Sequence, residues 1–340
     1  MSLWLAATVF LPCIASVVFA SNWLAEALDE VGHRFRLSPG TLGLITALGA
    51  DSPEISSALA ASVSGHQAVG IGVVFGSNLF NLAALLGLGA LLSGGIAFER
   101  ASVTTGGTAS LLATACTALL AYHVIGAWWT LALLLLIVTL YALALIVRGS
   151  AIRSLPLPGR VRDALASALE RIHQHAGPRP GDQATGKKPT AHTGWELAGI
   201  ISGSVLLIVL GSVANVHAVL RMTDAFGIPK EVTGALVIAA LTGIPNVYTS
   251  ARLARHQRGE AMLSETLNSN TINIVVGIGV PAVVFGITSG WVADLELWWL
   301  IGLTCISLVL ALVRGGLHRP GGITIIALYV TFVVVRIAIA

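Results

Sequence analysis

The chain alternates between long apolar runs and short polar loops along almost its whole length. Most runs hold roughly 20 or more residues, which is enough for a helix to cross the hydrocarbon core of a bilayer. The strict alternation of a membrane-spanning β-barrel is absent. The pattern therefore predicts an all-α polytopic membrane protein with ten transmembrane helices. They are predicted at 3–28, 39–64, 68–94, 102–124, 127–147, 195–220, 229–254, 262–287, 292–313 and 321–340.

One long polar stretch divides the ten predicted spans into two groups of five. Residues 148–194 contain five prolines and eight of the lysines and arginines, a composition typical of a flexible linker. Within this stretch, residues 161–176 are expected to form a short surface helix. We therefore predict a first unit over 1–147, a linker over 148–194 and a second unit over 195–340.

The composition supports a membrane protein and excludes several soluble classes. Of the 340 residues, 55% are hydrophobic and only 10% are charged, whereas soluble domains carry about 25% charged residues. The three cysteines lie inside apolar runs without metal-site spacing, so we interpret them as structural thiols. Most basic residues lie in short loops, so we expect the lipid bilayer, and no nucleic acid, as a partner. No oligomeric state is indicated.

Lysines and arginines fall unevenly on the two sides of the predicted membrane. With the N-terminus outside, sixteen of the nineteen lie in the inner loops and the linker, as expected for a cytoplasmic side. Both termini then face outward, and the compact chain suggests a prokaryotic inner membrane. No Lys or Arg precedes Arg34, so we expect the first run to be a retained span and not a cleaved signal peptide.

The two groups of five spans resemble each other at an offset of 192 residues. Coincidences of polar and helix-breaking residues are not expected between unrelated apolar segments. Because five is odd, the second group enters the membrane upside down, which predicts two inverted five-helix repeats, the architecture of secondary transporters. The first-group residues that fall on identical residues without a gap include Pro53, Ser77, Asn78, Asn81 and Gly87.

Two carboxylates stand inside the second apolar run. Asp51 and Glu54 flank Pro53 and are three residues apart, so on a helix they share a face. Ionisable groups at membrane depth are expensive and mark ion paths or proton relays. The proline removes a backbone donor, which we expect to free backbone carbonyls as cation ligands. By contrast, we expect Asp294 and Glu296, at the start of the ninth span, to be exposed.

Neutral oxygen donors accompany these carboxylates in both repeats. Ser77 and Asn81 share one face of the third span, and the second repeat offers hydroxyls and amides at the equivalent places. Hard oxygen ligands on two interrupted helices suit Na⁺ or Ca²⁺. The candidate cation site consists of Glu54, Asp51, Ser77, Asn81, Thr242, Asn246, Ser269 and Asn273.

These segments resemble the α-repeats of the Ca²⁺/cation antiporter superfamily, the sodium/calcium exchangers. Repeats of that family carry a Gly-Thr-Ser-x-Pro-Glu motif and, on the next helix, a Gly-Ser-Asn-x-Phe-Asn/Asp motif. The resemblance implies a sodium/calcium exchanger-like fold and secondary active antiport of Ca²⁺ for Na⁺ at a midplane site, with no cofactor. The matching positions are Pro53, Glu54 and 76–81 in the first copy and Thr242, Pro245, Ser269 and Asn270 in the second.

Several departures from the family pattern redistribute the charge of the site. The second repeat has Asn246 where the family has glutamate, and Asn273 where aspartate is often found. The first repeat has Ala50 and Asp51 in place of Thr and Ser, so both carboxylates come from one repeat. With Asp51 facing the site, a charge of −2 still balances a divalent cation. Otherwise Glu54 stands alone and suits Na⁺ or H⁺ better.

Three other functions are compatible with parts of the sequence. The reduced fixed charge favours exchange of Ca²⁺ or another cation for H⁺. Loss of the second glutamate favours a degenerate homologue that binds ions without transporting them. Residues 47–51 (Ala-Leu-Gly-Ala-Asp) faintly resemble an intramembrane aspartyl protease, but that chemistry needs aspartates from two helices. No second aspartate lies at membrane depth, so we expect a transporter and not an enzyme.

Overall fold

The protein is almost entirely helical in the part of the chain that the computed structural model describes. The described residues are 3–35, 47–147, 149–154, 158–160, 162, 163, 166, 167, 169, 170, 192–229, 232–255, 257, 259–286, 294–313 and 315–339. The helices in this part are α1 (Leu3–Arg34), α2 (Ser52–Val63), α3 (Gln67–Ser93), α4 (Arg100–Ala121), α5 (Ala127–Ile146), α6 (Gly149–Arg153), α7 (Gly194–Phe226), α8 (Thr233–Thr242), α9 (Ile244–Arg255), α10 (Gly259–Phe285), α11 (Asp294–Val313) and α12 (Arg319–Ala338). Two short strands are β1 (Gly95–Ala97) and β2 (Gly316–His318).

Eight of the described helices are long and apolar enough to cross a membrane. They are α1, α3, α4, α5, α7, α10, α11 and α12, and each ends within six residues of its predicted span. The other two predicted spans, 39–64 and 229–254, coincide with interrupted helices. The first consists of the helical residues 47–50 followed by α2, and the second of α8 followed by α9. The structure is therefore consistent with ten spans, although residues 36–46 lie outside the described part.

The helices repeat at the offset of 192 that the sequence predicts. Adding 192 to the bounds of α3 and α5 gives the bounds of α10 and α12. The interruption at Asp51 likewise falls on the interruption at Gly243. A π-helical segment, Leu82–Leu88 of α3, falls within one residue of the π-helical segment Val275–Gly279 of α10. Where both repeats are described, their helices thus have similar bounds and the same interruptions.

Strand pairing is consistent with the interrupted helix α8–α9 crossing the membrane. Strand β1 lies between α3 and α4 and pairs antiparallel with β2, between α11 and α12, with Ile96 opposite Leu317. Both loops therefore lie on one side of the membrane, and an even number of spans must separate them. Five uninterrupted helices (α4, α5, α7, α10 and α11) and the α8–α9 pair give six. Two inverted five-helix repeats require this count.

Helices α3 and α8 cross at two glycines. A Cβ at Gly76 would overlap the backbone of Ala235, and a Cβ at Gly234 would overlap the carbonyl group of Val69. Close backbone approach at small residues is the usual packing mode in a bilayer, where lipid is as apolar as the buried side chains. The crossing holds the interrupted helix of the second repeat against the helix that carries Ser77.

We expect Gly76→Ala to destabilise the protein, because the added methyl group must displace the Ala235 backbone. Overpacking of a tight interface costs about 1–3 kcal/mol, so the unfolding temperature of the purified protein in detergent should fall. Gly203→Ala is the matched control, since a Cβ at Gly203 would meet nothing within 4 Å. Equal unfolding temperatures for the two variants would contradict this description of the crossing.

Glu296 is buried, so the expectation that it is exposed is wrong. Its carboxylate pairs with the guanidinium of Arg336 on α12 at 2.6 Å, and both side chains are largely buried. A carboxylate at this depth offsets its desolvation cost by pairing with a buried base, and here that base lies 40 residues later in the chain. Asp294 is half-buried and accepts a hydrogen bond from the Tyr122 hydroxyl at 2.9 Å.

The predicted linker lies mostly outside the described residues. The predicted surface helix at 161–176 is described only at residues 162, 163, 166, 167, 169 and 170, which are helical. An ion pair joins Arg153 to Glu170 at 2.9 Å. The linker ends in a capping box, in which Thr193 and Glu196 exchange side chain to backbone hydrogen bonds at the start of α7.

Candidate functional site

Hydroxyl groups stabilise the interruption before α2. Pro53 stands in the first turn of α2 and has no N–H to donate to the Gly49 carbonyl. The hydroxyl of Ser52 donates to that carbonyl at 2.6 Å. The hydroxyl of Ser21 on α1 also donates there, at 3.2 Å, and to the Ala50 carbonyl at 3.3 Å. These hydroxyls use part of the accepting capacity of the two carbonyls. The expectation that the interruption supplies carbonyl ligands for a cation stays a prediction.

Asp51 and Glu54 are completely buried at this interruption. Both oxygens of Asp51 and the Oε2 atom of Glu54 have no hydrogen-bond partner. The two carboxylates interact electrostatically, and within the described residues neither pairs with a Lys, Arg or His. The hydroxyl of Ser269 on α10 interacts electrostatically with Asp51, although no hydrogen bond of normal geometry joins the two groups. Such a pair is costly unless a cation or proton neutralises it.

Asparagine amides join the two repeats next to the carboxylates. The Nδ2 atom of Asn78 donates to the backbone carbonyl of Asn270 at 3.0 Å. The Nδ2 atom of Asn273 donates to the Oδ1 atom of Asn78 at 3.1 Å. Asn78 and Asn270 are 192 positions apart, so equivalent residues of the two repeats meet here. The pseudo-two-fold axis that relates the repeats therefore passes close to the site.

Asn246 connects the second repeat to Glu54. Its Nδ2 atom donates to the Oδ1 atom of Asn81 at 2.7 Å and, at the longer distance of 3.5 Å, to the Oε1 atom of Glu54. Glu54 and Asn246 are also equivalent at the offset of 192. In this orientation the amide presents hydrogen atoms, and not its oxygen, to the carboxylate. The second repeat thus places a hydrogen-bond donor opposite Glu54.

All eight predicted site residues are buried, but they do not all belong to one network. The hydroxyl of Ser77 donates to the Val74 carbonyl of its own helix at 3.1 Å. The hydroxyl of Thr242 likewise donates to the Ile238 carbonyl at 3.0 Å. Both hydroxyl oxygens keep the capacity to accept. Contacts link five of the other six, which are Asp51, Glu54, Asn81, Asn246 and Ser269. Asn273 instead bonds to Asn78.

The donor set consists of oxygen atoms and carries two formal charges. In the part of the chain that is described, no group of three or more His, Cys, Asp or Glu side chains is placed to hold a metal. Oxygens without a hydrogen-bond partner are present at Asp51, Glu54, Ser269 and Asn273. Carboxylate, hydroxyl and amide oxygens are the ligand types that hard cations prefer. The site is chemically suited to a cation held between α2 and α10.

Three further buried polar residues lie close to the predicted site residues, and the sequence analysis does not include them in the candidate site. Asn78 and Asn270 are completely buried in the amide network. Their coincidence at the offset of 192 is the signal that identifies them. Ser57 lies one turn after Glu54, is buried, and has a hydroxyl group without a partner. Its position on the inner face of α2 depends on packing that the local sequence does not show.

Both repeats match one protein family. The sequence profile described as "Sodium/calcium exchanger protein" matches residues 5–157 and 196–338. The chain belongs to this sodium/calcium exchanger family. The matched segments cover the spans of both repeats and omit most of the linker. The resemblance carried by the Pro53-Glu54 and 76–81 motifs is therefore confirmed. Membership of an exchanger family is consistent with the expectation of a transporter.

Curated exchangers match a limited part of the chain. Sodium/potassium/calcium exchanger 1 of Gallus gallus is 28% identical over 144 residues, which are 40% of this chain and 22% of that protein. Sodium/potassium/calcium exchanger Nckx30C of Drosophila melanogaster is 28% identical over 146 residues, which are 40% of this chain and 16% of that protein. The chain thus spans less than a quarter of the length of either relative.

Two solved exchanger structures share the fold over nearly the whole chain. The H⁺/Ca²⁺ exchanger CAX superposes with a TM-score of 0.69 at 14% identity, over 96% of this chain and 81% of CAX. The sodium-calcium exchanger NCX_Mj superposes with a TM-score of 0.60 at 17% identity, over 97% of this chain and 98% of NCX_Mj. At these identities the likeness shows the fold alone, which is the exchanger fold of an integral membrane protein.

Proposed function

We propose that the chain is a secondary active antiporter that exchanges Ca²⁺ for Na⁺ or H⁺ by alternating access at a midplane site. The observation that carries the proposal is the completely buried pair Asp51 and Glu54, which has no basic partner among the described residues. Folding alone does not require such a pair, whereas binding and release of a cation does. Ca²⁺ appears in the names of the matched family, of its curated relatives and of both structural neighbours.

The proposed ligands divide into charged and neutral groups. Asp51 and Glu54 supply a total charge of −2, which balances one divalent cation. Glu54 accepts from Asn246 through Oε1, and Asp51 interacts with Ser269, so both carboxylates contact the second repeat. This supports the assignment of Asp51 as well as Glu54. Asn246 acts on Glu54 through its amide hydrogens. The neutral members of the set are Ser77, Asn81, Thr242, Asn246, Ser269 and Asn273.

The proposed transport cycle follows from the cost of buried charge. A bound Ca²⁺, or the Na⁺ ions or protons that together replace its two charges, neutralises the two carboxylates. The neutralised site passes the apolar barrier at low cost, whereas the empty and charged site does not. Each reorientation therefore needs a bound ion, and inward movement of one ion is coupled to outward movement of the other. The inverted repeats supply two half-sites that exchange exposure.

The proposal includes an orientation in the membrane. The linker 148–194 is cytoplasmic and joins a first repeat over 1–147 to a second over 195–340, with both termini outside. The basic residues of the inner loops support this orientation. The pairing of β1 with β2 is compatible with it, since both loops fall on the proposed cytoplasmic side. The proposed location is a prokaryotic plasma membrane.

Uptake of ⁴⁵Ca²⁺ into proteoliposomes tests the proposal. The full-length protein is reconstituted into vesicles loaded either with Na⁺ at equal pH or with acid in Na⁺-free buffer. We expect uptake above that of protein-free vesicles under at least one gradient, and the effective gradient identifies the counter-ion. Absence of uptake under both gradients would overturn antiport. If Ca²⁺ then still raised the unfolding temperature, the chain would be an ion-binding homologue without transport.

A further inference from the structure

Tyr141 is a buried polar residue on a helix that otherwise faces mostly outward. Helix α5 buries only Thr130, Leu134 and Tyr141 among its 20 residues. The Tyr141 hydroxyl donates a hydrogen bond to the Oδ1 atom of Asn268 on α10 at 2.8 Å. The Asn268 side chain is itself completely buried, and its Nδ2 atom donates to the Ser264 hydroxyl at 3.2 Å. A directional chain of hydrogen bonds thus links α5 to the helix that carries part of the candidate site.

The bonded residue lies directly beside a proposed cation ligand. Asn268 precedes Ser269, and consecutive residues of an α-helix point about 100° apart around its axis. The two side chains accordingly point to different neighbours. Asn268 contacts Tyr141 of α5, and Ser269 interacts electrostatically with Asp51. Asn273, one turn further along α10, bonds to Asn78 of the first repeat. The rotation of α10 about its own axis decides whether both groups face the carboxylates.

The equivalent place in the other repeat has no such hydrogen bond. At the offset of 192, Asn268 corresponds to Gly76 and Tyr141 corresponds to Val333, so neither partner is polar. Helix α12 instead contacts α3 through an edge-on ring contact between Phe80 and Tyr329, with centroids 5.9 Å apart. An apolar ring contact tolerates small rotations, whereas a hydrogen bond is directional. The hydrogen bond between Tyr141 and Asn268 of α10 therefore has no counterpart at the equivalent residues of α3 and α12.

We propose that Tyr141 is a positioning residue, which fixes the rotation of α10 through Asn268 and so aims Ser269 and Asn273 at the cation. This inference rests on the proposed function, because it assigns Tyr141 a part in the same site. Residues that orient metal ligands from outside commonly change metal affinity by about 10–100-fold when they are mutated. Loss of the Tyr141–Asn268 hydrogen bond leaves the ligands in place but orients them less precisely. Affinity for Ca²⁺ is therefore expected to fall by a larger factor than the maximal rate.

The test compares Tyr141→Phe with the full-length parent in the ⁴⁵Ca²⁺ assay. We expect the half-saturating Ca²⁺ concentration to rise about tenfold, with a maximal rate within about twofold of the parent. Tyr122→Phe is the matched control, because the Tyr122 hydroxyl also joins two helices, donating to Asp294 and accepting from Trp298, but at the surface. The control is expected to leave half-saturation unchanged.

A second variant separates positioning from general stability. In an Asn268→Ala background, the further change Tyr141→Phe is expected to add little, because the partner is already gone. An unchanged half-saturation in Tyr141→Phe, or an equal shift in Tyr122→Phe, would overturn the proposal and reduce the bond to a structural contact. If the parent does not transport, the proposed function fails, and the Ca²⁺ dependence of the unfolding temperature still measures affinity in each variant. A parent that neither transports nor binds Ca²⁺ would overturn both.

Discussion

Glu54→Gln is expected to abolish Ca²⁺ exchange. The substitution keeps the size of the side chain and an oxygen that accepts from Asn246, but it removes one of the two buried negative charges. A loss of about 3 kcal/mol of binding free energy corresponds to roughly a 100-fold loss of affinity, and removal of a charged ligand from a buried site is expected to reach at least that size. Initial rates of ⁴⁵Ca²⁺ uptake into proteoliposomes measure the effect.

Thermal unfolding distinguishes loss of the site from loss of the fold. Without Ca²⁺, the Glu54→Gln variant should unfold at the temperature of the parent or above it, since a buried and unpaired charge has been removed. The stabilisation that Ca²⁺ gives the parent should disappear. Glu170→Gln is the control, because Glu170 is a half-buried residue paired with Arg153 in the linker, away from the site. Uptake by the Glu54→Gln variant at the rate of the parent would remove the basis of the proposed function.

Asn246→Asp is expected to tighten Ca²⁺ binding and slow turnover. The new carboxylate faces Glu54 from the second repeat, and affinity for Ca²⁺ rises with the number of carboxylate ligands. We expect the half-saturating Ca²⁺ concentration to fall by about tenfold, the effect of about 1.4 kcal/mol. One Ca²⁺ leaves one of the three negative charges unneutralised. The loaded site therefore crosses the apolar barrier less readily, and the maximal rate decreases. Uptake measured over a range of Ca²⁺ concentrations gives both quantities.

The control for this substitution is Asn246→Ala. It removes the hydrogen bonds to Asn81 and Glu54 without adding charge, so half-saturation should not fall. In the absence of Ca²⁺, Asn246→Asp should also unfold at a lower temperature than the parent, because like charges then face each other in a buried place. A Ca²⁺ affinity that is unchanged or weaker in Asn246→Asp would place position 246 outside the cation site.

Local sequence patterns predict the helices well and their ends less well. The bounds of α3 and α5 follow from apolar runs that end where the bilayer ends. Helices α1 and α7 continue six residues beyond the predicted spans at 3–28 and 195–220. A helix does not need apolar residues to continue into water, so hydrophobicity marks the membrane boundary and not the end of the helix. The broken helices are foreseen because proline removes a backbone donor.

The composition of the site is predicted better than its connections. The repeat at 192 residues identifies Glu54, Asn246 and Ser269 as facing groups, and all three are buried near the interruptions. The sequence treats Asn246 as a supplier of oxygen, whereas its amide donates to Asn81 and to Glu54. The orientation of an amide depends on which partners surround it, and those partners come from another repeat.

The sequence by itself determined the membrane spans, the inverted repeat and the depth of the two carboxylates, because these depend on helix geometry and bilayer thickness. Only the tertiary structure decided which groups meet. The bonds Tyr141–Asn268 and Glu296–Arg336 join residues 127 and 40 positions apart, and nothing near either residue in the chain specifies its partner. Their physical reason is the packing of whole helices, which brings distant polar groups together where no water is available to replace them.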